Sequence, residues 1–440
     1  MKKLLSIIIF CVMFFTAITA SAEELDLDSY LAMVEKNNLD LLVLFKDIEL
    51  AKTDVAMARS VFLPRAGVQG SYNHNFIEST QSMAVASTGP GPLLFQDIRN
   101  NFDNELILGV GISQTLFNAG AISNYNKAKL ARAIREQSYE AARQAVLCAA
   151  KKLYLRAQLV LIVVEIRESS ERFSYEQYQR VERRRAAGAA TEMDLLLAEV
   201  DWRSKTDAVM EAKRNASLVL LAFCDLARIP HSDEVTLTQK RTDLPEMPEN
   251  PNLGDVLSNR SDYRALLLSR DLNDVERKAS RNTFFPEVSA SFNYALGYMN
   301  GNSDIPGNDY DFNSASLGIT VSIPIMAGGA RIARIKAAKL QQEKTTIALS
   351  QKETAIESEL IDLQLRLEDG WQRFESSYRT VEVARRAVSL AQTAFANGQT
   401  TYLNVIDAQD KLDMVWLNFV NNNYVYMSAY YDWELAAGIK

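Results

Sequence analysis

The chain has 440 residues, of which 48% are hydrophobic, and its 48 basic against 55 acidic residues give a formal net charge of -7 at pH 7. An acidic balance speaks against a nucleic-acid partner, and three cysteines in a chain of this length do not make a disulfide scaffold. The two histidines, His74 and His231, and the lack of any HExxH, CxxC, GxSxG or phosphate-binding glycine loop leave no basis for catalysis. No enzyme activity, no cofactor and no metal are therefore expected.

Residues 1–22 read as a cleaved export signal: Lys2 and Lys3, an apolar run from Leu4 to Phe15, then Ala20-Ser21-Ala22 before Glu23. The run is short for a bilayer span, and nothing after it approaches the about 18 consecutive apolar residues of a membrane helix. A membrane strand barrel stays open, because alternating strands never form such a run. Export also permits a bridge between Cys148 and Cys224, although two small hydrophobes in helices are the simpler account.

Leu25 to Ser60 is expected to be helical and to lead into a strand hairpin over 61–117. In its first strand Val68, Tyr72 and Phe76, with Gly70 and His74, alternate with Arg65, Gln69, Ser71, Asn73 and Asn75. In its second, Leu106, Leu108, Val110 and Ile112 alternate with Glu105, Gly109, Gly111 and Ser113. Between them lies a long loop, about Ile77 to Asn104, rich in turn residues. Next, 121–187 contains no proline and no glycine and reads as one helix, about 100 Å long if unbroken. Gly188 is placed as its C-cap and Thr191 as the N-cap of a helix over 191–225, so this glycine marks a hairpin tip.

A proline-rich segment, 227–253, separates a first repeat (23–226) from a second (254–440) that restates it. The second repeat has a helix over Asn259 to Arg281, a strand hairpin over 284–326, and helices over 330–397 and 401–436 around the tip residues Gly398 and Thr401. Its strands are cleaner: Val288, Ala290, Phe292, Tyr294, Leu296 and Tyr298 oppose Glu287, Ser289, Ser291 and Asn293, and Leu317, Ile319 and Val321 oppose Ser316, Thr320 and Ser322. Matching positions from Gly120 to Gly188 and from Gly329 to Gly398 are offset by about 210 residues. In the tip-proximal helices, Val405, Ala408, Leu412, Val415, Phe419 and Tyr426, and equally Leu195, Ala198, Trp202, Lys205, Val209 and Ala212, follow the spacing of a coiled-coil seam.

The strand segments, about 10 to 12 residues long, match tilted membrane strands, and their aromatics fall toward the ends as in an interfacial belt. The small polar faces, represented by Arg65, Gln69, Ser71, Asn73, Ser289, Ser291, Asn293 and Thr320, suit a water-filled lumen. A soluble sandwich is the competing account of the strands, and a periplasmic coiled-coil tether without a pore is that of the helices. Four strands cannot close a barrel, and open edges do not survive in lipid. A closed oligomer is therefore expected, best with three copies and twelve strands, because barrels of about eight strands are filled by side chains.

The chain resembles the TolC-like outer membrane factor family. The resemblance rests on the helix-to-strand entries Phe62-Leu63-Pro64 and Phe284-Phe285-Pro286, and on the strand-to-helix exits ending in Gly120 and in Gly328-Gly329. The two tips, Ala187-Gly188-Ala189-Ala190-Thr191 and Asn397-Gly398-Gln399-Thr400-Thr401, complete it. It implies a homotrimer in the outer membrane of a Gram-negative bacterium, with a twelve-stranded barrel continued by a helical periplasmic tunnel. It implies further that a periplasmic adaptor meets the tips, and that an inner-membrane pump drives efflux or type I secretion through the duct. The family's constriction pattern falls on Asp407 and, where an acid is usual, on Asn404; Asp194 is the equivalent of Asn404 in the first copy. The alternative for these acids is a carboxylate favoured at a helix start.

Overall fold

The computed structural model describes residues 25–77, 79–85, 94–100, 102–230, 237, 244–282, 284–301, 309–325 and 328–439. The leader, His231 and the exit residues Met326 and Ala327 lie outside them. In chain order the elements are α1 (Leu27–Asn37), α2 (Leu39–Ser60), β1 (Arg65–His74), β2 (Ser79–Val85), β3 (Leu94–Asn100) and β4 (Phe102–Asn118). They continue with α3 (Ala119–Ala186), α4 (Glu192–Ala227), α5 (Leu253–Asn259), α6 (Ser261–Asn282), β5 (Glu287–Gly301), β6 (Asp309–Ser322), α7 (Ala330–Ala396) and α8 (Tyr402–Ala436). No helix among the described residues is long and apolar enough to cross a membrane.

Three local expectations are corrected. The helix expected over Leu25 to Ser60 is broken at Asn38, whose backbone N–H closes α1 on the Val34 carbonyl. The Asn38 side chain then accepts from the Leu41 N–H at 3.1 Å, starting α2. Arg260 makes the same break between α5 and α6, at the offset that separates Pro64 from Pro286, so the duplication extends to the kink. Second, the segment expected as a loop near Ile77 to Asn104 holds a hairpin of its own, β2 paired with β3. The Gly, Asn, Ser, Asp and Pro of that segment read as turn chemistry from the sequence alone. Third, β4, β5 and β6 run for 17, 15 and 14 residues, longer than their apolar alternation alone suggests.

The chain forms two compact units, each drawing on both halves of the sequence. One contains Asp47–Arg135 and Leu266–Ala348; the other contains Glu136–Ala265 and Leu349–Lys440 together with the residues up to Lys46. The first holds a four-stranded antiparallel sheet in the order β1-β4-β5-β6. The central β4–β5 pair therefore joins the two copies. Asn273 of α6 hydrogen-bonds Thr345 of α7 at 2.6 Å within this unit.

The second unit is helical, and its core forms where α1 meets α3 and α4. Tyr30, Val34, Ala150, Tyr154, Ala157, Phe223, Cys224 and Ala227 are buried there together. Tyr30 stacks on Phe223 with ring centroids 3.9 Å apart and donates its hydroxyl to the Phe223 carbonyl. Small residues at Ala150, Ala157 and Ala227 let the helix backbones approach. α7 continues through Gly370, which packs against Tyr426 of α8. Cys148 and Cys224 are both buried and free.

Candidate functional site

Register assembles the sheet's two faces from the four strands. On one face Val68 opposes Val110, which opposes Tyr294; in the next row Ile112 opposes Phe292, which opposes Leu317. This face is open: Val68 is 74% exposed, Leu317 81% and Ile319 70%. Aqueous exposure of that much contiguous apolar surface is unfavourable by about 25 cal/mol per Å², so the face calls for an apolar cover. Tyr72 and Tyr298 lie on it toward the hairpin ends, both opposite Leu106, and Tyr72 donates to Asn104 at 2.8 Å.

The opposite face collects the residues expected to line a lumen. Arg65 opposes Ser113, which opposes Ser291, and Gly111 opposes Asn293, which opposes Ser316. Ser289 opposes Thr320. Gln69, Ser71 and Asn73 fall on the same side of β1, opposite Gly109, Ile107 and Glu105. This face is not small and polar throughout, since Ile107, Met299, Tyr310 and Phe312 occupy its hairpin end. Among the described residues, the outer edges of β1 and β6 pair with no strand.

The helical unit carries the tips. Gly188 and Gly398 have φ of 73° and 72°, a left-handed conformation that side chains resist. Each closes its helix in the same way: Ala189 N–H donates to the Arg184 carbonyl at 2.7 Å, and Gln399 N–H to the Ala394 carbonyl at 2.8 Å. The next helices start differently. Thr191 and Asp194 form a reciprocal capping box, and the hydrogen bonds from Thr191 hold the Asp194 carboxyl below its usual range. Thr401 makes no side-chain cap bond, and Asn404 donates instead to Thr400 at 2.7 Å. The two tips share a core of Val181, Ala198, Tyr402 and Val405, and the Arg184 guanidinium lies 4.6 Å from the centre of the Phe395 ring.

Asp407 is exposed and ion-paired with Lys411 one turn on, at 2.6 Å. Asp194 is spent on its cap, and Asn404 on Thr400. Within one chain these three do not form a cluster.

A polar cluster that the sequence does not announce as a unit centres on Lys205, one of the seam positions. Its ammonium bonds Asp410 at 2.6 Å and Asp413 at 3.0 Å, both on α8. Asp413 also accepts from Ser170 of α3, and from Gln409 at 2.8 Å. Ser174 of α3 donates to Asp201 of α4 at 2.6 Å. The side chains of Lys205 and Asp413 are only 12% and 8% exposed. Burial raises the Asp201 carboxyl above its usual range, against the Ser174 hydrogen bond. Burial alone would lower Lys205, but the bonds to Asp410 and Asp413 outweigh it and raise its pKa. The cluster ties α3, α4 and α8 in one layer. Leu412, expected in the seam, is half-buried, and the deepest side chain of that turn is Asp413. Among the described residues no group of three or more His, Cys, Asp or Glu is placed to hold a metal ion.

A family model described as outer membrane efflux protein matches residues 31–221 and 252–437. The alkaline protease secretion protein AprF of Pseudomonas aeruginosa is 22% identical over 345 residues, covering 74% of this chain; the match spans 66% of that relative, just under two thirds of its length. Among solved structures, a membrane protein from Pseudomonas aeruginosa has a TM-score of 0.74 at 19% identity, covering 93% of each chain. The Campylobacter jejuni CmeC outer membrane channel has a TM-score of 0.74 at 18% identity, covering 94% of this chain and 85% of that one. At such identities the structural likeness is one of fold.

Proposed function

The chain belongs to the outer membrane efflux protein family, and on that premise we propose that it is one subunit of a passive outer-membrane exit duct. The duct serves a tripartite efflux or type I secretion system, receiving cargo from an inner-membrane pump through a periplasmic adaptor that contacts the tips at Gly188, Thr191, Gly398 and Thr401. The name of the AprF relative adds polypeptides to small molecules as cargo. The strands lie in the outer membrane and the long helices in the periplasm.

One observation carries this reading: a four-stranded sheet with one open apolar face, one mainly polar face and two edges that, among the described residues, pair with no strand. In hydrocarbon each unpaired backbone group costs several kcal/mol, so the edges must meet those of other copies. Two copies would make a barrel of the size that side chains fill, whereas three make twelve strands around a lumen. A pore-free periplasmic tether would account for the helices and leave the open apolar strand face without a cover. Cross-linking and mass measurement in mild detergent test the assembly: a trimer that forms channels in planar bilayers is expected. A stable folded monomer would overturn the reading, because its strand edges would stand in the detergent core.

The periplasmic constriction is proposed at Asp407, with Asn404 beside it and Asp194 behind it in the other tip. Three Asp407 carboxylates around a threefold axis would attract cations. Asp407→Ala leaves Lys411 without its partner, so lower cation preference and weaker block by multivalent cations are expected in single-channel recordings. Asp194→Ala should change both less, because that carboxylate serves the cap. Selectivity and block unaltered in Asp407→Ala would take this residue out of the constriction.

A further inference from the structure

The polar strand face changes character at its hairpin end. Ile107 opposes Gly297, which opposes Phe312; in the next row Glu105 opposes Met299, which opposes Tyr310. Alternation places Ile107, Met299, Tyr310 and Phe312 on the side that carries Ser291 and Asn293. The Phe312 ring shows this directly: it lies across Gly297, where any β-carbon would overlap it. Tyr310 extends the surface, its ring 6.2 Å from that of Phe312 with the planes 26° apart, and it is 55% exposed. Glu105 stands in the Tyr310 row and accepts a long hydrogen bond from the Asn75 amide at 3.5 Å.

A ring filling the gap above a strand glycine is a common packing device, and it accounts for Phe312. It does not account for Tyr310, Ile107 and Met299 on a face that is otherwise mainly small or polar, nor for a carboxylate beside them. We propose that Phe312, Tyr310, Ile107 and Met299, with Glu105, form a binding shelf in the barrel lumen for amphipathic organic cations in transit.

The shelf rests on the channel reading above. Its aromatic faces attract cations and its aliphatic neighbours take up an apolar body, while the carboxylate selects the sign of charge. Aromatic surface also binds without chelating, so a cargo molecule is retained weakly enough to leave, as conduction requires.

Single-channel recording of the full protein in planar bilayers tests it, with tetraphenylphosphonium as blocker and tetraphenylborate as the anion of like shape, each in sodium chloride because potassium tetraphenylborate is insoluble; potassium conductance is read without either ion. The native channel should be blocked at lower concentrations of the phosphonium. Phe312→Leu, which keeps apolar volume without a π face, combined with Tyr310→Ala, should raise the half-blocking concentration about tenfold. Potassium conductance should persist in this variant. Glu105→Gln should reduce the preference for phosphonium over borate. Gly297→Ala, which pushes the Phe312 ring off the wall, should lower potassium conductance. An unchanged half-blocking concentration in the double variant, with channels still open, would overturn the shelf alone. A native protein that forms no channels would overturn the channel reading and the shelf with it.

Discussion

Lys205→Met should destabilise the helical unit by about 3–5 kcal/mol, the usual result of removing one partner from a buried ion pair. The methionine fills much of the same volume, so the loss comes from stranded charge. Asp413 is 8% exposed and takes Lys205 as one of its partners; Asp410 bonds the same ammonium. Asp201, whose carboxyl burial already raises, lies near both. A carboxyl with a raised folded pKa contributes stability that is full below its unfolded value, about 3.9, and is lost as pH rises through the folded one. The defect should therefore be largest at neutral pH and shrink as the medium is acidified toward pH 4. In the native chain Lys205 itself has a raised folded pKa. Its contribution is full below the unfolded value, about 10.4, and is lost only as pH rises above that through the folded pKa. Chemical unfolding followed by circular dichroism at pH 7 and pH 4.5 reads the first effect, and a further point on the native protein at about pH 11 reads the second. Adding Asp413→Leu should recover most of the loss. A Lys205→Met variant within 1 kcal/mol of the native protein at pH 7 would show that the layer is solvated and not structural.

Arginine at Phe292 or Ile319 should impair barrel assembly by about 2–4 kcal/mol if the position lies near the bilayer midplane. Both side chains belong to the open apolar face, 40% and 70% exposed in the single chain, and a guanidinium there would enter hydrocarbon. Arginine at Ser71, Ser291 or Thr320 should be accepted and should shift ion selectivity instead. Arg65 already occupies that face, in the row of Ser113 and Ser291. Trimer yield in detergent and channel currents distinguish the outcomes. Equal tolerance on both faces would mean that the alternation does not divide lipid from lumen.

What the amino-acid order determines by itself is whatever depends on local backbone geometry. A strand repeats every two residues, so Val110 and Gly111, or Phe292 and Asn293, are assigned to opposite faces without knowledge of their neighbours. A left-handed residue after a long helix wants glycine, so Gly188 and Gly398 announce the tips. The duplication of these signals joins them into two matching halves.

What required the tertiary structure is the identity of partners. No local signal says that β4 of one copy pairs with β5 of the other. None says that Lys205 meets Asp410 and Asp413, some two hundred positions away. The capping roles of Asp194 and Asn404 differ because a carboxylate only accepts, whereas an amide also donates and finds Thr400. Phe312 breaks the expected polar face because Gly297, on the neighbouring strand, leaves room for its ring. Apart from Asp194 and Asn404, whose partners lie within one helical turn, each side chain's role is set by a residue remote in sequence, and only the folded chain brings the two together.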